Sequence, residues 1–188
     1  MQVFRSRSGR AIAVATAVIM ITALGVIFVS EGIAAALLSL PAAVLIIAIA
    51  LLLFWFPRVE VSDGGVKIVN VFREHMIGWG AIRLIDTRWA LAITTDKGKI
   101  TAWGAPAPGR HSSIFASRDQ GQHLPESTYI AGTVRPGDLV TSDSGAAAAH
   151  IRRIWEQNRD GEAQVASRWN VGKVVVLAVV LIVSGLSF

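Results

Sequence analysis

The chain has 188 residues, 53% of them hydrophobic, with 18 Lys and Arg against 13 Asp and Glu and a net charge of +5. It has no cysteine, which excludes a disulfide framework, a thiolate metal site and a cysteine nucleophile. Its basic residues are scattered rather than run together, so the excess charge points to membrane orientation and not to nucleic acid.

Residues 1–10 read as a basic tail carrying Arg5, Arg7 and Arg10. Residues 11–56 contain a single charge, Glu31. Ala11 to Ser30 is about twenty residues without a charge, enough to span a bilayer core at 1.5 Å per residue. It is longer than the apolar stretch of a cleavable signal, and a second run, Ile33 to Phe56, follows at once. A connection as short as Glu31-Gly32 makes the two helices antiparallel neighbours. Pro41 either kinks the second helix or sits in its first turn with Ser39 near the N-cap. Small residues at helical spacing, Ala13 and Ala17 on one helix and Ala35 and Ala43 on the other, allow close packing. Residues 171–188 form a third apolar run, expected to be a C-terminal transmembrane helix with Lys173 reaching back to the interface. Arg10, Trp55, Arg58, Trp169 and Lys173 are the expected membrane-interface residues. The basic residues flank the runs on one side only, which places the N-terminus and the middle of the chain in the cytoplasm and the C-terminus outside.

Residues 57–160 read as a soluble, mostly β domain. Val59 to Ser62 alternates with period two, Asp63-Gly64-Gly65 is a hairpin turn, and Val66 to Phe72 is the return strand. Arg73-Glu74-His75 reads as the next turn and Met76 to Gly78 as a short strand. Strands around Arg83 to Thr87, Trp89 to Thr95 and Lys99 to Trp103 follow, the last two joined by the turn Asp96-Lys97-Gly98. Short strands at this spacing imply an antiparallel barrel or sandwich. Residues 104–142 form a long loop rich in Pro and Gly. Asp143-Ser144 caps a helix over 145–158, whose stripe Ala147, Ile151, Ile154, Trp155 and Asn158 faces the barrel, with Arg152, Arg153 and Glu156 on the outer face. Residues 161–170 read as a linker.

A barrel of short strands closed by one helix is the plan of a pleckstrin-homology (PH) domain. Pro57-Arg58-Val59-Glu60-Val61, Gly65-Val66-Lys67-Ile68-Val69-Asn70-Val71-Phe72-Arg73 and Ile77-Gly78-Trp79-Gly80-Ala81-Ile82 are similar to the membrane-anchored PH-domain proteins of actinobacteria, of the low-molecular-weight antigen type. Ala102-Trp103-Gly104-Ala105-Pro106-Ala107-Pro108-Gly109-Arg110-His111 resembles a subset with a long insertion and a further C-terminal span. The resemblance implies a membrane α-helical hairpin followed by a PH-like barrel, and no established biochemical activity.

No nucleophile, metal or phosphate-loop motif stands out. His111 with Ser112 and Ser113 lacks an oriented base and acid. His75, His123 and His150 lack ligand spacing. The first hairpin turn is short and acidic, with Lys67 as its one basic neighbour, which departs from phosphoinositide-binding PH domains. Trp79 and Trp89 are expected in the core. Trp103, Arg110 and His111 are the candidate partner contacts, on a loop carried by a rigid scaffold. The expected function is a non-catalytic, membrane-anchored interaction or scaffold module at the inner face of the plasma membrane. The alternative is a peripheral sensor of anionic lipid. Besides the bilayer, the partner is expected to be a membrane protein or a second copy. No nucleic acid, small-molecule substrate or cofactor is expected.

Overall fold

The computed structural model describes residues 1–108, 129–130, 133–134, 138–139 and 141–185. The chain starts with a short strand, β1 (Gln2–Phe4), where a free basic tail is expected from sequence. Ser6 then caps helix α1 (Arg7–Glu31), its Oγ accepting the Gly9 N–H at 3.0 Å. Such a cap satisfies one of the four N–H groups that a helix start leaves bare. Gly32, at φ +89°, turns the chain, and its N–H returns to the Phe28 carbonyl at 3.1 Å. Helix α2 (Ile33–Ala50) follows and widens into a π-helical turn, Leu51–Trp55, where the Phe56 N–H donates to the Leu51 carbonyl. Pro41 lies inside α2 rather than at its start. Both helices, counting α2 through Trp55, are long and apolar enough to cross a membrane. Ala13 and Ala43 are buried, as close packing of the pair requires.

Arg58–Ser62 (β2), Gly65–Val69 (β3) and Arg73–Ile77 (β4) form an antiparallel meander. The polar Arg73-Glu74-His75 is thus strand and not turn. Trp79–Ala81 is a single 3₁₀ turn. Leu84–Asp86 (β5), Ala90–Thr95 (β6) and Gly98–Pro106 (β7) form a second meander. A small separate pair, Tyr129–Ile130 (β8) and Thr133–Val134 (β9), follows. Helix α3 (Asp143–Gln157) is capped by Ser142, one residue before the expected Asp143-Ser144, its Oγ accepting from the Gly145 N–H. Val165–Trp169 (β10) then pairs with β4, so the expected linker at 161–170 is largely an edge strand. Helix α4 (Val171–Gly185) ends the described chain.

The first sheet runs β1-β2-β3-β4-β10 and the second β5-β6-β7. No ladder joins them, so the expected closed barrel is corrected to two sheets that face each other with α3 against the second. They cross tightly at Gly104, where an added Cβ would lie 2.5 Å from the Arg58 nitrogen. Val59, Val61, Val66 and Ile68 from one sheet meet Leu91 and Ile93 from the other and Ile151 from α3, all essentially inaccessible to solvent. Each such aliphatic side chain contributes about 1.5–3 kcal/mol of burial. Trp79 plugs this core, its indole N–H donating to the Asp63 carbonyl at 2.8 Å. Trp89 does not join it. It is 74% exposed, because β6 begins one residue later and the preceding corner turns it outward.

The third apolar run is a fifteen-residue helix, about 22 Å long against the roughly 30 Å of a bilayer core. The expected third transmembrane helix is therefore corrected to a short apolar helix; residues 186–188 lie outside the described chain. It runs along α2, where the Ser184 hydroxyl donates to the Pro41 carbonyl at 3.0 Å.

Gly65 and Gly98 both close hairpins with positive φ, +140° and +121°, but only Gly65 faces backbone: its missing Cβ would sit 2.1 Å from the Ile77 carbonyl, while Gly98 opens on empty space. Gly98→Ala is expected to cost about 1–3 kcal/mol from backbone strain alone. Gly65→Ala is expected to exceed it by a further 1–3 kcal/mol, roughly, because the meander must also part. Denaturant unfolding of the detergent-solubilised chain, followed by tryptophan fluorescence, measures the difference; equal losses would contradict the packing described.

Candidate interaction site

Of the expected contact residues, Trp103 lies within the described chain; Arg110 and His111 fall in 109–128, outside it. Trp103 sits on β7 and is 48% exposed. Its backbone N–H donates to Asn70 Oδ1 at 2.9 Å, and the Asn70 amide donates to the Thr101 carbonyl at 2.8 Å. One side chain thus ties the end of β3 in the first sheet to β7 in the second and holds the Trp103 ring at the surface. Asn170 extends the tie, its amide donating to the Asn70 carbonyl.

Beneath Trp103 is a partly open cleft of about 830 Å³, within the range of ligand sites. Five segments distant in sequence line it. Ser6 to Gly9 and Ile12 come from the start of α1, Leu53 and Phe54 from the π-helical turn, Ala90 from the start of β6, Thr101, Trp103 and Pro106 to Pro108 from β7 and just beyond, and Thr141 to Asp143 from the start of α3. Gly9 lets the first two meet: an added Cβ would lie 3.1 Å from the Phe54 carbonyl. The Arg7 N–H donates to Asp143 Oδ2 at 3.1 Å and so links the helical hairpin to α3. The sequence reading missed this cleft; the signals within it are Gly9 and the serines that cap two helices.

The expected interface residues form pairs around the same end of the hairpin. The Arg10 guanidinium lies 4.6 Å from the Trp55 ring centre, and Lys173 lies 5.8 Å from that of Phe56. Trp169 carries Arg73 at 4.2 Å. Arg58 is bound to Glu60 at 2.6 Å. Cations over aromatic faces at the ends of apolar helices suit the membrane–water boundary.

At the opposite edge of the second sheet, Asp138 is buried with Thr87 Oγ1 donating to it at 2.6 Å and Arg152 at 3.3 Å. Arg152 also donates to the Ile85 carbonyl. It was expected on the solvated face of its helix and instead pins the residues before α3 onto β5. The first hairpin turn offers no basic cradle: Lys67 is held by Glu74 at 3.0 Å.

Two histidines titrate abnormally. His75 sits on β4 between β3 and β10; burial and then the neighbouring Arg73 charge lower its pKa. His150 packs against Phe4 at 5.5 Å, and burial, Arg153 and the chain's amino terminus lower its pKa. Unfolding restores each to about 6.5. The unfolded chain therefore binds more protons just below that pH, and stability rises with pH there. Thermal unfolding is expected to be flat above about pH 7 and to shift downward as pH falls through 6.5, levelling below the folded pKa values. His75→Gln is expected to flatten part of that slope, read by the unfolding midpoint against pH.

Residues 56–157 match the family model for the bacterial PH domain. No curated protein and no solved structure matches the chain. PH domains are generally non-catalytic binding modules. The matched span holds both meanders and α3, and covers just over half of the chain: this protein belongs to the bacterial PH domain family.

Proposed function

We propose that the chain is a membrane-anchored, non-catalytic interaction module, with its PH domain at the inner face of the plasma membrane and its partner an integral membrane protein or a second copy of itself. One observation carries the reading: Trp103 stands half-exposed where the second sheet meets the ends of the apolar helices, lining the same cleft as Leu53 and Phe54. A partner that buries it must reach close to the bilayer. Trp89, the residue before β6, is a second exposed indole. Exposed tryptophan is the residue type most enriched among energetic anchors of interfaces. Arg5, Arg7 and Arg10 ahead of α1 and Arg58 after α2 support the cytoplasmic side. The resemblance to membrane-anchored actinobacterial proteins agrees with this placement.

A photo-reactive residue in place of Trp89, in intact membranes, is expected to cross-link one discrete partner or the chain itself. Trp103→Ala is expected to weaken recovery of that partner about tenfold or more, as loss of an anchor worth about 1.4–3 kcal/mol requires. Recovery of an uncross-linked monomer from several detergents would overturn the proposal. Salt-sensitive binding of the chain to anionic vesicles, unchanged by Trp103→Ala, would instead favour a lipid-surface sensor.

A further inference from the structure

The cleft beneath Trp103 has a chemistry that a protein partner does not require. Its lining includes Ile12, Leu53 and Phe54, residues of the two apolar helices themselves. The lining also carries one cation and one anion, Arg7 and Asp143. Among the described residues neither is in an ion pair: the Asp143 carboxylate is met by the backbone N–H of Arg7 and not by its guanidinium. Opposite charges that do not pair with each other, in a lining shared with apolar side chains of the two long helices, complement a molecule that is zwitterionic at one end and apolar at the other.

We propose that this cleft holds the headgroup and glycerol of one amine-bearing phospholipid, its phosphate beside Arg7 and its ammonium beside Asp143, with its acyl chains leaving along Ile12, Leu53 and Phe54 into the bilayer. The proposal rests on the anchored reading above, since it needs the helices in lipid. An ammonium with N–H donors suits Asp143 better than a quaternary ammonium, which has none. A purely anionic headgroup would meet the Asp143 charge with nothing to offset it.

Native mass spectrometry of the delipidated full chain in mild detergent, with phosphatidylethanolamine, phosphatidylcholine or phosphatidylglycerol added in turn, tests it. One phosphatidylethanolamine per chain is expected to be retained about tenfold more than either other lipid. Asp143→Asn still accepts the Arg7 N–H and leaves the Ser142 cap in place, so the fold persists; it is expected to bring phosphatidylethanolamine down to the level of phosphatidylcholine. Ala90→Trp, which fills the cleft from β6, is expected to abolish retention of all three lipids. Equal retention of the three by the unaltered chain, or an Asp143→Asn profile like the unaltered one, would overturn the site. Alkaline carbonate extraction of native vesicles separates the two readings: release of the chain overturns the anchor and the site together, while retention without lipid preference overturns the site alone.

Discussion

The structure depends on a pairing made across the base of the helical hairpin. Gln2, Val3 and Phe4 lie beside Val61, Glu60 and Val59, so the strand before α1 and the strand after α2 are antiparallel neighbours. That pairing forces both ends of the hairpin to emerge on the same side of the protein. It also puts Phe4 against the domain core and against His150 of α3. The same logic recurs at the far edge of the sheet, where β10 pairs with β4 and passes within two residues into α4. Both edge strands of the first sheet, and β2 inside it, are thus direct continuations of apolar helices. The domain and the hairpin share one set of strands, and loss of either edge would leave a meander with open ladders, the condition that invites edge-to-edge aggregation.

Close joints have a consequence for recognition. A module on a long flexible tether samples every orientation near the bilayer and gains from confinement only through raised effective concentration. Here β1 and α1 are separated by Arg5 and Ser6, Pro57 alone separates the end of α2's chain from β2 beyond Phe56, and Asn170 separates β10 from α4. Asn170 is itself bonded through its side chain to Asn70 and Val71. Such joints fix the domain against the ends of the apolar helices. The Trp103 surface therefore keeps one position relative to those helix ends.

Much of the chain was legible from its sequence where the signal is local. Charge-free runs gave the two long helices, and the hairpins at Asp63-Gly64-Gly65 and Asp96-Lys97-Gly98 follow from glycine at positive φ. The stripe Ala147, Ile151 and Ile154 gave α3 and its buried face. What escaped is long-range. Three residues at Gln2–Phe4 are too few for a periodic pattern, and the arginines after them suggest a tail. In Val-Ala-Ser-Arg-Trp at 165–169 Val165 alone packs against the core and the rest is exposed, so its alternation leaves little for hydropathy to detect. Arg73-Glu74-His75 is polar because that strand lies near the sheet edge and is only partly covered. In each case pairing with a distant strand, rather than intrinsic preference, decides the structure. Trp89 failed in the other direction: its bulk suggests burial, but a corner one residue before β6 exposes it.

The site divides along the same line. The exposure of Trp103 was legible because a tryptophan ahead of a proline-rich stretch is poorly placed for a core. The cleft was not, because it needs α1, the π-helical turn, β7 and α3 to converge, and none of their local patterns announces the others. Its existence follows from the base pairing with which the fold begins. β1 fixes where α1 starts, Gly9 then lies against the Phe54 carbonyl, and Asp143 meets the Arg7 N–H. The buried Asp138–Arg152 pair acts a few residues earlier, anchoring the chain onto β5 so that Ser142 and Asp143 arrive at the start of α1. Breaking one partner of such a pair leaves an uncompensated charge and is far costlier than the pair is stabilising. It therefore acts mainly as a positional lock for the residues that lead into α3 and so line the cleft.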